Sequence, residues 1–121
     1  MYAPIFVTAS ASSAVKALIG SNPVRLYLFG DAPQGVTKPY VVWQTISGVP
    51  ENYISQVPDI DSYTIQVDIY ADTASSARAV AKELRDVIEQ VAHIVRWGGE
   101  SRDDETNNYR FSFDVDWFVY R

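Results

Sequence analysis

The chain has 121 residues, a formal net charge of −5 at pH 7 and no cysteine. A chain of this length typically folds as one domain around a core that needs no disulfide or metal, so we expect a single domain over residues 1–121. The missing cysteines exclude disulfides and thiolate metal sites, and the acidic balance with scattered Lys and Arg argues against direct nucleic-acid binding. The sequence also lacks the regions of a signal peptide and any run long enough to span a membrane, so we expect a soluble chain with no membrane partner.

The first 47 residues predict one helix and two strands. The helix extends from Pro4 to Ile19, because proline is tolerated in a first turn and Gly20 suits the left-handed position after a helix end. The β-rich run Val24–Phe29 predicts the first strand, and Tyr40–Ser47 predicts the second. Between them, Gly30–Pro39 holds two glycines and two prolines, which is typical of a surface loop.

The segment Gly48–Asp61 turns polar and contains several residues that break regular structure. A weak strand pattern over Tyr53–Val57 predicts a short arm that protrudes from the domain. We expect both this segment and the loop Gly30–Pro39 to be mobile in a monomer and ordered by neighbouring subunits in an assembly.

The centre of the chain is a strand that passes directly into a helix. Residues 62–71 alternate, and the apolar side of this strand comprises Tyr63, Ile65, Val67, Ile69 and Ala71. Asp72 or Thr73 can cap the helix that follows. The apolar stripe of this helix comprises Ala77, Val80, Ala81, Leu84, Ile88 and Val91, widened by Val87. We expect this stripe to pack on the apolar side of the strand.

The last third predicts a hairpin. Ala92–Trp97 forms a fourth strand closed by Gly98 and Gly99, and Tyr109–Tyr120 forms the longest strand. Phe118 and Tyr120 interrupt the polar side of that last strand, so they indicate either a partner surface or a surface covered by a loop.

The order of elements is helix, three strands, helix, two strands, which is typical of an α+β domain. We expect an antiparallel or mixed sheet of four to five strands with two helices packed on one face.

Sequence motifs typical of an active site are nearly absent. The sequence has no phosphate-binding glycine loop and no nucleophile elbow, and its single histidine is His93. The acidic run Asp103, Asp104 and Glu105 has no spacing of a calcium loop, and the strand carboxylates Asp114 and Asp116 are more typical of a soluble sheet edge than of acid and base catalysis. We therefore predict no enzyme and no catalytic, cofactor-binding or metal-binding residues.

Two long segments resemble a known family. The first, FGDAPQGVTKPYVVWQTISGVPENY, extends from Phe29 to Tyr53, and the second, PDIDSYTIQVDIYADTASSARAVAKELRDVIE, from Pro58 to Glu89. In wording and order they are similar to the small tail-completion proteins of long-tailed bacteriophages and prophages.

This resemblance implies a structural virion protein of the tail end that meets the head. Such a protein forms a homo-oligomeric ring, commonly a hexamer, which stops growth of the tail tube and offers a surface to the head–tail connector. The implied partners are further copies of the chain, the tail-tube protein and the connector proteins, and the implied locations are the virion tail and the host cytoplasm during assembly. Because a ring needs two different contact patches, we predict that Tyr53 belongs to one and that Phe118 and Tyr120 belong to the other.

Two other classes of function stay open. A small peptide- or protein-binding adaptor would be a monomer with one free strand edge. A small metal-dependent hydrolase would use His93 together with nearby carboxylates.

Overall fold

The structure, a computed structural model, describes residues 2–50 and 59–121. Its helices and strands are α1 (Ile5–Ser10), α2 (Ser13–Ile19), β1 (Leu26–Leu28), β2 (Tyr40–Pro50), β3 (Ile60–Ala71), α3 (Ala74–Ile88), β4 (His93–Arg102) and β5 (Tyr109–Tyr120). The predicted arm strand Tyr53–Val57 lies outside the described residues. None of the helices in the described ranges is long and apolar enough to cross a membrane.

The five strands form one mixed sheet in the order β1-β2-β3-β5-β4. β1 is parallel to β2, whereas the pairs β2–β3, β3–β5 and β4–β5 are antiparallel. The predicted α+β class with a mixed sheet is therefore confirmed. β3 and β5 pair along their whole length, from Ile60 opposite Tyr120 to Ala71 opposite Tyr109.

The core lies between one face of the sheet and the helices. The alternation predicted for β3 is confirmed, since Ile65, Val67 and Ile69 are fully buried. α3 covers this face with the predicted stripe, of which Leu84 and Ile88 are fully buried. The core cluster also includes apolar residues from α1, α2 and β5: Ile5, Ala9, Val15, Ile19, Phe113, Val115 and Trp117. We refer to this face as the helix side and to the opposite face as the polar side.

The start of α3 is the predicted one, but its end is earlier. The Thr73 side-chain oxygen accepts a hydrogen bond from the Ser76 N–H at 3.1 Å, which satisfies one of the free amides of the first turn. The helix ends at Ile88, and Val91, predicted to extend the stripe, is 57% exposed in the turn that follows.

The prediction of one N-terminal helix over Pro4–Ile19 is wrong in one respect, because two short helices occupy this segment. The break falls in a run of Ser, Thr and Ala residues, and the Ser and Thr hydroxyl groups compete for backbone hydrogen bonds. Ser12 caps the second helix by accepting a hydrogen bond from the Val15 N–H at 3.2 Å. Both helices contact α3.

β4 does not end at the predicted glycines. It continues through Gly98 and Gly99 to Arg102, with irregular pairing at Ile94/Arg96 and again at Trp97/Gly99. Gly99 has a φ of +99°, and a Cβ on Gly98 would lie only 3.1 Å from the Ser112 Oγ. Both positions therefore need glycine for backbone shape and close approach, and they form bulges within the strand.

We expect Leu84→Ala to lower the free energy of unfolding by about 2 to 5 kcal/mol, because it removes a fully buried side chain between α3 and the sheet. Lys82→Ala is the matched control on the exposed side of the same helix, and we expect a change within about 0.5 kcal/mol. Urea titration followed by circular dichroism measures both values. Equal losses in the two variants would contradict the packing of α3 on the sheet.

Candidate assembly surfaces

The predicted interface residues of β5 are exposed at one end of the sheet, on its polar side. Phe118 is 47% exposed and Tyr120 is 75% exposed, so among the described residues no loop covers them. Phe118 lies opposite Ser62, which in turn lies opposite Val49 of β2, so the three residues share one row of the sheet. Val49 is 58% exposed. We call Val49, Phe118 and Tyr120 the apolar end patch; Tyr53, the other predicted interface residue, lies outside the described residues.

The rest of the polar side is a network of hydrogen bonds between neighbouring strands. Asp68, only 7% exposed, accepts hydrogen bonds from Arg110 Nη2 at 2.8 Å and from Gln66 Nε2 at 3.2 Å. The Thr64 hydroxyl donates to Asp116 Oδ1 at 2.6 Å. Charged acceptors make the stronger hydrogen bonds of proteins, so this network fixes the side chains around the sheet centre.

The two strand carboxylates Asp114 and Asp116 bind different partners and do not contact each other through hydrogen bonds. Asp116 is bonded to Thr64, whereas Asp114 contacts Arg96 through an Nη1–Oδ2 distance of 3.4 Å. Asp114 is 7% exposed, so it is not the solvated edge residue that the sequence predicts. Its Oδ1 atom has no hydrogen-bond partner among the described residues.

The other candidate chemical residues are also separate. His93 is exposed at the start of β4. In the turn after β4, Asp104 pairs with Arg102 at 2.9 Å, and Asp103 accepts a hydrogen bond from the Glu105 N–H at 3.0 Å. Within residues 2–50 and 59–121, no group of three or more His, Asp or Glu side chains could hold a metal ion.

An ion pair connects the last strand to β3 beside the apolar end patch. Arg121 Nη2 lies 3.0 Å from Asp61 Oδ1, and the Arg121 N–H donates to the Asp59 carbonyl oxygen at 2.8 Å. The hydrogen bond from the Arg121 guanidinium lowers the pKa of Asp61 below its ordinary value.

Sequence reasoning missed the two open edges of the sheet. β1 pairs only with Val41–Trp43, so the outer edge of β2 from Gln44 to Pro50 has no partner strand in the described parts of the chain. At the opposite side of the sheet, no strand within residues 2–50 and 59–121 pairs with the outer edge of β4. Both edges depend on the order of the strands in the sheet, which local sequence patterns do not contain.

An apolar cavity lies on the helix side next to the free edge of β2. It has a volume of about 410 Å³ and is lined by Tyr2, Leu28, Phe29, Trp43 and Thr45. Leu28 and Phe29 are 40% and 60% exposed, so this end of the core face is not covered by a helix.

Comparisons with known proteins agree on the fold and on one family. The profile of the tail completion protein gp17 family matches residues 3–120. A chain of the virion of the native gene transfer agent particle is similar with a TM-score of 0.69 and 13% identity, over 97% of this chain and 92% of the other. The gp17 protein of bacteriophage SPP1 is similar with a TM-score of 0.59 and 11% identity, over 97% and 86% of the two chains. No curated protein matches the sequence significantly.

We expect acid to weaken the contact between Asp61 and Arg121. Because the pKa of Asp61 is lowered in the folded state, the stabilisation is complete above the ordinary value of 3.8 and is lost as the pH falls through the lowered value. The free energy of unfolding should therefore fall more steeply below about pH 4 in the parent than in Asp61→Asn. Urea titrations at a series of pH values measure this, with Asp31→Asn in an exposed loop as the control. Parallel pH curves for the parent and Asp61→Asn would contradict it.

Proposed function

The chain belongs to the tail completion protein gp17 family, and from that membership we propose that it caps the phage tail tube, stops its polymerisation and forms the surface on which head and tail join. Members of this family are structural proteins of the phage tail, so the chain is not an enzyme and the hydrolase alternative with His93 is withdrawn. The observation that carries the proposal is the family match over residues 3–120, which includes every helix and strand of the described structure.

A structural neighbour supports a place in the virion. The similar chain from the gene transfer agent belongs to an assembled virion particle, and the likeness extends over nearly the whole of both chains. By analogy, the protein would reside in the virion tail after assembly in the host cytoplasm. Its partners would be the tail-tube protein below it and the connector proteins above it.

The proposed form is a homo-oligomeric ring, and six subunits is the number that the family resemblance implies. A ring closes when one patch of a subunit meets a different patch of the next through a fixed rotation. The apolar end patch supports this, because exposed aromatic and aliphatic side chains in a polar setting are typical of the buried centre of an interface. We assign Phe118 and Tyr120 to one contact patch and keep Tyr53 as the proposed member of the other.

The adaptor alternative has one observation in its favour. The free edge of β2 could accept a peptide strand, as adaptor domains do. The two functions differ in oligomeric state, since the adaptor would remain a monomer in solution and on tail tubes.

We expect the purified protein to stop the elongation of tubes grown from purified tail-tube protein. Electron microscopy of tube lengths, with and without the protein, measures this directly. The expected result is a shorter length distribution with extra density at one end of each tube. Unchanged lengths and bare tube ends would contradict the capping function.

We expect Phe118→Ala or Tyr53→Ala to weaken self-association by about 1 to 3 kcal/mol, because interface aromatics carry a large share of binding energy. Val91→Ala is the matched control, since this exposed residue lies in the turn after α3 and away from the patch. Sedimentation over a range of concentrations measures association, and circular dichroism checks the fold. If both aromatic variants associate like the parent, the patch assignment is wrong.

A further inference from the structure

The free edge of β2 offers unpaired backbone groups to a partner strand. The Val41 N–H donates to the Arg25 carbonyl at 2.9 Å and the Trp43 carbonyl accepts from the Phe29 N–H at 2.9 Å, so the odd residues of β2 before its bulge direct these groups outward. Thr45 continues the alternation beyond the end of β1, and no described residue pairs with its outer side. Another extended chain supplies donors and acceptors at this spacing and can replace the water that otherwise binds these groups.

This edge also lacks charged side chains as protection against pairing. The stretch Gln44–Pro50 contains no charged residue, and Ile46 and Val49 are 47% and 58% exposed. Edges of soluble sheets are normally guarded by charges, prolines or bulges. Here the guards are only a bulge at Ile46 and the terminal Pro50, so the edge is suited to a specific neighbour.

The second open edge of the described sheet belongs to β4, and it has the matching direction. β4 is antiparallel to β5, β5 to β3 and β3 to β2, so β2 and β4 run in opposite directions. Two copies placed side by side in the same orientation therefore bring β4 of one against β2 of the next as an antiparallel pair.

The outward backbone groups of β4 follow from the register. Val41, Ile69, Phe111 and Glu100 form one row across the sheet. Hydrogen-bonded and non-hydrogen-bonded pairs alternate along such a row, and Val41 directs its groups away from β3. Glu100 therefore directs its N–H and carbonyl outward, away from β5.

The offset between the two edges fits a closed ring. Through β3, the free stretch Gln44–Pro50 lies at the level of Asp114–Val119 in β5, whereas β4 lies at the level of Tyr109–Asp116. For the two edges to overlap fully, a neighbouring subunit must be shifted along the strand direction by about four residues, or ~13 Å. The four strands β2, β3, β5 and β4 of one subunit span ~19 Å across the sheet. The ratio of these distances corresponds to a strand tilt of about 35° from the ring axis, which is typical of closed β-sheets. The bulges of β4 add local twist, which closure requires.

On the helix side, each of the two edges carries exposed apolar side chains, and β4 also carries Glu100, which pairs with Arg78. Trp97 of β4 is 50% exposed, and the surface beside β2 holds Leu28, Phe29 and the apolar cavity. Trp97 and Trp43 lie on the same face, since both belong to the row that includes Val67 and Phe113. Joining the edges would bury apolar surface from both subunits.

We propose that adjacent copies of this chain join by antiparallel pairing of the free β2 edge, Gln44–Pro50, with the outer edge of β4, so that the ring contains one continuous sheet. This inference depends on the proposed ring and names the strands that build it. The apolar end patch then lies beside the Pro50 end of the paired β2 and β4 strands.

Two proline variants test the pairing. Thr45→Pro removes the outward amide of β2, and Glu100→Pro removes that of β4; Thr45→Ala and Glu100→Ala are their matched controls, and the second also accounts for the loss of the 2.7 Å ion pair with Arg78. We expect each proline variant to raise the concentration for half-assembly by more than about tenfold over its alanine control. Sedimentation measures assembly, and thermal unfolding checks the fold.

Mixing gives the sharper result. Each proline variant retains one intact edge. An equimolar mixture should therefore form a heterodimer that cannot grow further, because both of its outer edges carry the proline, and neither variant should form a dimer alone. Proline variants that assemble like their alanine controls, or a mixture without the dimer, would overturn the strand pairing. If the parent protein still assembles, the proposed ring itself is not contradicted. A parent that stays monomeric even with tail tubes would overturn both.

A measurement on the unmodified chain covers the case of a misfolded variant. The amide of Thr45 should exchange at least about tenfold more slowly in the assembled ring than in dilute monomer, because pairing hides it from solvent. Equal exchange rates in the two states would overturn the pairing.

Discussion

The packing of α3 against β3 and β5 is the interaction on which the other elements depend. β3 lies at the centre of the sheet, and its helix side is fully buried at Ile65, Val67 and Ile69. α3 covers this face, and α1 and α2 are in turn held by α3. The helices of the described ranges therefore lie on one side of the sheet, and within these ranges the other side and the outer edges of β2 and β4 are uncovered.

The strongest periodic patterns were predictable from the sequence. The alternation of β3, the stripe of α3 and the cap at Thr73 each follow from local chemistry, and the structure confirms them. The end of α3 was less predictable, since Val91 continues the spacing although the chain has already turned. The break at Ser12 depends on the Ser12 hydroxyl binding the Val15 N–H instead of solvent. The run of Ser and Thr residues allows such a bond at several positions, so the sequence alone did not locate it.

Tertiary context decided the remaining features. Gly98 and Gly99 are typical of a strand end, but the neighbouring Ser112 approaches so closely that glycine is needed inside the strand. Asp114 reads as an exposed strand residue, yet Gln66 and Arg96 lie opposite it on both sides and bury it. The exposure of Phe118 and Tyr120 agrees with the partner surface that the polar pattern suggested, whereas the open edges depend on strand order, which local patterns do not contain.

The strand order also determines when this fold can form. β5 lies between β3 and β4 in the sheet, although it follows both in the chain. Its partners in β3 are far away along the sequence, since Tyr120 pairs with Ile60. On the ribosome, β5 is made after every other described strand, so β3 and β4 cannot be joined into one sheet until synthesis has passed it. A chain that ends before β5 thus retains β1, β2 and β3 but lacks the strand that joins β4 to them, so the outer edge of β4 cannot be part of its sheet.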